Sequence, residues 1–224
     1  MNWLKSRSVT FVAGNSSSGK STFCLRYLAN TRCFLRFIYD FRGEYAERLK
    51  MRAAELPGDL ASQIPTGWIL FDPWRMFPSD PERGLSFFAE WAWEVCLRLG
   101  GRKIFFCDEV TQYCSPYNIA PELATLASNG RKGGVESLFI SNEPHRLNSR
   151  IRGQLTELVA FSLLDPLALD FCRGMGLDPE RVRALSSWQF IAKNLLSHRV
   201  LEGRIPDLAQ ARPSCQLPAP AVAD

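Results

Sequence analysis

This chain is short of histidine, of paired cysteines and of long apolar runs, and each shortage removes a class of function. His145 and His198 are its only two histidines, and its seven cysteines, at 24, 33, 96, 107, 114, 172 and 215, are odd in number and contain no CxxC pair. Zinc sites and disulfide frameworks draw on such groupings, so neither is indicated. Most of the cysteines sit in apolar runs, where a reduced thiol packs as a small hydrophobe. Those runs stop after a handful of residues, well short of the roughly 20 needed to span a bilayer. The N-terminus leads into Val9 without a signal-peptide pattern. The expectation is a soluble, intracellular chain with no stable membrane insertion. No internal repeat is visible. A length of 224 residues suits one α/β domain, expected over 1–205, followed by a Pro/Ala-rich tail over 206–224 that is expected to be mobile.

The formal net charge of +4 is unevenly laid out. Residues 1–52 carry ten Lys/Arg against three acids and residues 131–154 carry five against two, whereas the stretch between is net acidic. Two basic blocks of this kind suit a polyanion such as DNA, a bound nucleotide, or ordinary solvated surface.

The most informative stretch follows the apolar run Val9 to Ala13. Gly14-Asn15-Ser16-Ser17-Ser18-Gly19-Lys20-Ser21 has the GxxxxGK[ST] spacing of a phosphate-binding loop, and Thr22-Phe23-Cys24-Leu25 continues it into a helix. Two glycines let the backbone curl so that successive N–H groups converge on phosphate oxygens at the positive end of that helix. Lys20 would reach the outer phosphates, and the Ser21 hydroxyl would ligate the accompanying magnesium. Gly14 to Thr22 is thus the candidate nucleotide-binding segment.

A second half-site stands at the end of Ile104-Phe105-Phe106-Cys107, which runs into Asp108-Glu109. An uninterrupted apolar run suits a strand covered on both faces, and the carboxyl ends of parallel strands form the ligand edge. Asp108 would hold the magnesium directly or through its water, and Glu109 would act as general base on the attacking water.

Patterning predicts strands at 9–13, 33–40, 68–72, 103–108, 135–141 and 156–162. Helices are predicted at 20–29, 44–51, 83–99, 119–129, 145–153 and 166–175. Strands alternating with helices imply a mostly parallel sheet covered on both faces. Trp188 to Leu196 reads as an added antiparallel edge strand. The segment Asp72 to Pro78, with Trp74 and Phe77, is either a docking loop or a cover for the core. The same two readings apply to Trp91 and Trp93 with Phe87 and Phe88, as subunit contact or as core.

Two further stretches carry a resemblance. Tyr39-Asp40-Phe41-Arg42-Gly43-Glu44-Tyr45 resembles the D-x-x-G-E-Y segment of HerA/FtsK-type DNA-pumping ATPases. Asn129-Gly130-Arg131-Lys132-Gly133-Gly134, followed by Leu138-Phe139-Ile140-Ser141-Asn142, looks like that family's G-R-x-x-G run into a strand ending in a polar sensor. The resemblance spans about Val9 to Ser162. It implies a RecA-like α/β P-loop NTPase core in which the sensor strand lies between the P-loop strand and the acidic strand. It places Asn142, where the family commonly has Gln, at the terminal phosphate. Arg131 matches the arginine that completes a neighbour's active site; a surface arginine before a strand and a DNA contact are its other readings. Arg146, Arg150 and Arg152 would touch DNA, line a subunit contact or cover a helix.

About eight residues precede the first strand, and a bare core of this kind resembles the genome-packaging ATPases of tailless, internal-membrane, tectivirus-like viruses. The implied protein is an ATP- and Mg2+-dependent homo-oligomeric ring, expected to be a hexamer, that pumps double-stranded DNA into a preformed virion. Capsid or portal-vertex proteins would be its partners, in the host cytoplasm and at the virion's packaging vertex. The rivals are a filamentous-phage-type assembly ATPase or another DNA pump, a P-loop kinase or nucleotide switch, and an ATP-binding scaffold.

Overall fold

The structure is a computed structural model that describes residues 8–205. The expected tail over 206–224 lies outside the described residues, as does Cys215. In chain order the elements are β1 (Val9–Ala13), α1 (Lys20–Asn30), β2 (Leu35–Tyr39), α2 (Glu44–Leu49), α3 (Pro57–Gln63), β3 (Trp68–Phe71), α4 (Pro73–Met76), α5 (Pro81–Arg98), β4 (Lys103–Cys107), α6 (Pro121–Gly133), β5 (Val135–Ser141), α7 (Ser149–Arg152), β6 (Glu157–Ala160), α8 (Pro166–Gly174), α9 (Pro179–Arg183), β7 (Gln189–Asn194) and β8 (Val200–Arg204). One eight-stranded sheet holds them together in the order β3-β2-β4-β5-β1-β6-β7-β8. The six strands from β3 to β6 pair in parallel, and β7 and β8 are antiparallel.

The central strands are buried along their whole length, which is why they read as continuous apolar runs rather than as alternation. Their side chains divide between two faces. Phe11, Ala13, Phe37, Tyr39, Phe105, Cys107 and Phe139 meet Leu85 and Phe88 of α5, Leu123 and Leu126 of α6 and Leu169 of α8. On the other face Val12, Ile38, Ile104, Phe106, Leu138 and Ile140 meet Phe23, Cys24 and Leu28 of α1. Helices on both faces are what a parallel sheet requires, because each crossover lays one there. Among the described residues no helix is long and apolar enough to cross a membrane.

The aromatic segments divide. Phe88 is fully buried and stacks on Phe71 with ring centroids 4.8 Å apart, and Phe87, Trp91 and Trp93 pack half-buried against the same cluster. Phe77 tilts onto Phe71 and Phe87. Trp74 stays exposed, its indole donating to Phe41 O at 2.8 Å. Core packing therefore takes most of these rings and leaves Trp74 at the surface.

Several elements differ from expectation. β7 is antiparallel as expected but is not the edge, because β8 adds outside it. β8 carries Gly203 under the Phe190 ring, where a Cβ would come within 2.5 Å of Phe190 Cζ. The helix expected over 145–153 is a 3-10 turn, Pro144–Arg146, followed by the short α7. Asn148 interrupts it: its side chain caps Arg150 N at 2.9 Å and donates to Ser115 O at 2.8 Å. α3, which patterning did not predict, opens on Pro57, and Asp59 accepts from Glu55 N and Leu56 N at 2.9 Å each.

Candidate functional site

β1 ends at Ala13 in the middle of the sheet, and the chain leaves its carboxyl end through Gly14 to Gly19 before α1 begins at Lys20. Both glycines are required sterically. A Cβ on Gly14 would lie 2.6 Å from Phe161 Cβ and 2.7 Å from Ser18 Oγ, and Gly19 sits at φ +112°. Gly14→Ala is expected to lower the melting temperature measurably, by an overpacking cost of about 1–3 kcal/mol. Thermal denaturation of the variant checks this, and an unchanged midpoint would show that the loop yields freely. Inside the loop Asn15 N donates to Ser162 O at 2.8 Å, Ser18 N to Asn15 O at 3.3 Å, and Lys20 Nζ to Asn15 O at 2.7 Å. Ser17 adopts a left-handed φ of +61°. The first turn of α1 carries no acidic residue and no side-chain cap, so its leading N–H groups face the loop without a protein acceptor.

Two strands from β1, β4 ends at the same edge and delivers Asp108 and Glu109, both about 5 % exposed. β5 lies between β1 and β4, the position that the resemblance implies for the sensor strand. Its continuation brings Asn142 beside Glu109, whose carboxylate takes a hydrogen bond from the Asn142 backbone. The Asn142 side chain is half-buried. From the other side β2 delivers the turn Asp40 to Gly43 and the start of α2. Asp40 Oδ2 accepts from Tyr45 N at 2.9 Å and Ala46 N at 3.1 Å. That anchors Tyr45, whose hydroxyl donates to Asp108 Oδ1 at 3.4 Å and also bonds the Ser21 side chain. Arg42 Nη2 donates to Glu109 Oε1 at 3.0 Å.

The electrostatics of this edge are those of a place that lacks positive charge. Burial raises the Asp108 carboxyl to about 7, helped by the neighbouring Glu109 and Asp40. Burial likewise raises Asp40 to about 6 and lifts Glu109, against the pull of Arg42 and Lys20. Lys20 is pushed down by burial while Glu109 opposes the shift. Ser18 Oγ, Asp40 Oδ1 and Glu109 Oε2 are buried without a partner among the described residues, a costly arrangement unless a ligand answers it. Among the described residues no group of three or more His, Cys, Asp or Glu could hold a metal by itself. A magnesium ion held by one carboxylate, one hydroxyl and phosphate oxygens needs no such group. The donor set fits a phosphate chain with its divalent cation.

Arg131 lies near the end of α6, just before β5 begins. α6 runs back from the carboxyl edge, so Arg131 and Lys132 stand at the opposite edge from Glu109. Arg146 follows the carboxyl end of β5 and pairs with Glu143 at 2.9 Å. The basic block over 131–154 is therefore not one patch.

No protein-family model matches the sequence, and no curated protein is significantly similar to it. Solved structures are similar in fold. The genome-packaging NTPase B204 of Sulfolobus turreted icosahedral virus 2, in complex with AMPPCP, superposes with a TM-score of 0.68 at 16% identity, covering 91% of this chain and 100% of that one. The conjugation coupling protein TcpA of pCW3 gives 0.56 at 14% identity over 88% of this chain and 60% of its own. The cytoplasmic domain of the type VII secretion ATPase EccC of Thermomonospora curvata gives 0.57 at 14% identity over 87% and 25%. This chain shares their α/β, RecA-like fold. Within it, Asp40, Arg42 and Tyr45 are site residues that carried no assigned role in the sequence. The motif Asp40-Phe41-Arg42-Gly43-Glu44-Tyr45 marked the segment, but only the β2–β4 pairing turns it toward Asp108 and Glu109.

Proposed function

We propose that the chain is an ATP-hydrolysing DNA translocase, working as a homo-oligomeric ring that packages double-stranded DNA into a preformed virion. The observation that carries this reading is the meeting of Lys20, Asp108 and Glu109 at one sheet edge, within a fold that a packaging NTPase matches over 91% of this chain. Bound Mg-ATP would supply the reactive phosphoanhydride and the cation that offsets its charge. The loop from Gly14 to Thr22 binds the phosphates through backbone N–H groups and Lys20, and Ser21 with Asp108 holds the cation. Tyr45 orients both of these ligands. Glu109 accepts a proton from the attacking water, Asn142 sits beside it as the polar sensor, and Arg131 serves the next subunit's phosphate. Placement of Arg131 at the far edge of its own sheet supports a role between subunits rather than within one. Capsid or portal-vertex proteins are the expected partners, in the host cytoplasm and at the virion's packaging vertex.

A packaging motor must grip every stretch of a genome, so it should contact backbone phosphate rather than base edges. Arg150 and Arg152, both exposed on α7, are the best candidates, since Arg146 is occupied by Glu143. Duplex DNA of any sequence should stimulate phosphate release. Its affinity should fall with log salt at about −0.9 per phosphate contact, and neutralising both arginines should reduce the slope by roughly that amount each. If confirmed rings neither bind DNA nor respond to it at low salt, the translocase reading fails and a nucleotide switch takes its place.

A further inference from the structure

Arg42 stands over the candidate site without a structural task. It comes from the turn between β2 and α2, its side chain is 46% exposed, and among the described residues its one hydrogen bond is to Glu109. An ion pair exposed to that degree on one side contributes little to stability. What it does contribute is a restraint on the general-base candidate. Glu109 is held in a left-handed conformation, φ +46° and ψ +47°, with Oε1 taken by Arg42 and Oε2 buried without a partner. Such strain in a non-glycine residue gathers at ligand sites and switches. The other charged groups around this carboxylate are Lys20 from α1, Asp108 beside it in the chain and Glu143 beyond β5; Asp40 and Glu44 act on Asp108. Arg42 is thus the solvent-exposed cation of the cluster. Lys20 is buried and fixed to Asn15 O, whereas the exposed guanidinium can exchange partners.

We propose that Arg42 reads the terminal phosphoryl group of a nucleoside triphosphate. In the arrangement seen here it restrains Glu109. When a triphosphate occupies the loop, the guanidinium transfers to the terminal phosphoryl oxygens, which it can bind bidentately, and so frees the Glu109 carboxylate to face water. A diphosphate leaves the restraint in place. This rests on the nucleotide reading of the Gly14 to Thr22 loop and adds to it the regulation of the base.

The test is equilibrium binding, read by displacement of a fluorescent nucleotide, of a β,γ-methylene triphosphate and of ADP, each with Mg2+. The proteins are the wild type, Arg42→Gln, Arg42→Lys, Glu109→Gln and the double variant Arg42→Gln/Glu109→Gln. Arg42→Gln should weaken the triphosphate on the order of tenfold, the worth of a charge-assisted hydrogen bond, and leave ADP unchanged. Arg42→Lys should recover part of the loss. Glu109→Gln should tighten the triphosphate by releasing Arg42, and that gain should vanish in the double variant. Equal losses for ADP and triphosphate in Arg42→Gln would overturn the proposal. So would a Glu109→Gln gain that survives in full without Arg42, because simple repulsion between carboxylate and phosphate would then explain it. Failure of the folded wild type to bind either nucleotide would instead overturn the reading of the loop.

Discussion

Glu109→Gln is expected to retain nucleotide binding and to lose phosphate release by about 10²- to 10⁴-fold, the usual contribution of a positioned general base. The amide is nearly isosteric and keeps an acceptor for the Asn142 backbone, so the surrounding packing stays, while the charge that holds Arg42 is lost. It cannot take a proton from water. Lys20→Ala should behave differently, losing binding itself, because Lys20 is a buried cation between the loop and the acidic pair. The two variants thus separate binding from chemistry. Near-normal phosphate release by Glu109→Gln, with binding intact, would remove Glu109 from the mechanism and leave its strained backbone as a purely local feature.

Arg131→Ala is expected to lower turnover by about 10³- to 10⁵-fold, as loss of an arginine finger does in phosphoryl transfer. The geometry makes the prediction specific. α6 carries Arg131 away from its own chain's Glu109 to the opposite edge of the sheet, so the residue can complete a site only in a neighbour. A cyclic head-to-tail ring brings one subunit's surface to the next subunit's site. Mixing Arg131→Ala chains with Glu109→Gln chains should therefore restore some turnover, because one class of interface in a mixed ring has both groups. No rescue at any ratio, in rings shown to be mixed by mass or label, would count against sharing.

Much of this architecture could be read along the chain, and the reasons are local. The buried strands β1, β2, β4 and β5 are largely apolar runs because both of their faces are covered. The glycine-bounded loop before Lys20 is legible because its turn needs glycine's backbone freedom at Gly14 and Gly19. Where the reading failed, local signals were ambiguous. The helices α3 and α9 went unread, although Pro57 and Pro179 occupy their first turns, where proline is favoured. β8 is an exposed edge with a glycine at its fourth position, so its pattern resembles a turn. Lys132 and Arg146 looked like members of one basic block, yet a helix and a strand carry them to different edges.

What the sequence determined by itself is therefore the buried parallel strands, the glycine-bounded loop and the acidic strand end, since each depends on residues within a few positions of one another. Only the tertiary structure decided which side chains meet. Arg42 reaches Glu109 across 67 positions of chain, and Tyr45 reaches Asp108 across 63, because β2 pairs with β4. The β1-β5-β4 order likewise sets Asn142 between the phosphate loop and the acids. Such meetings follow from strand order and crossover paths, which reflect the free energy of burying the whole sheet between two layers of helices, and no window of sequence contains that balance.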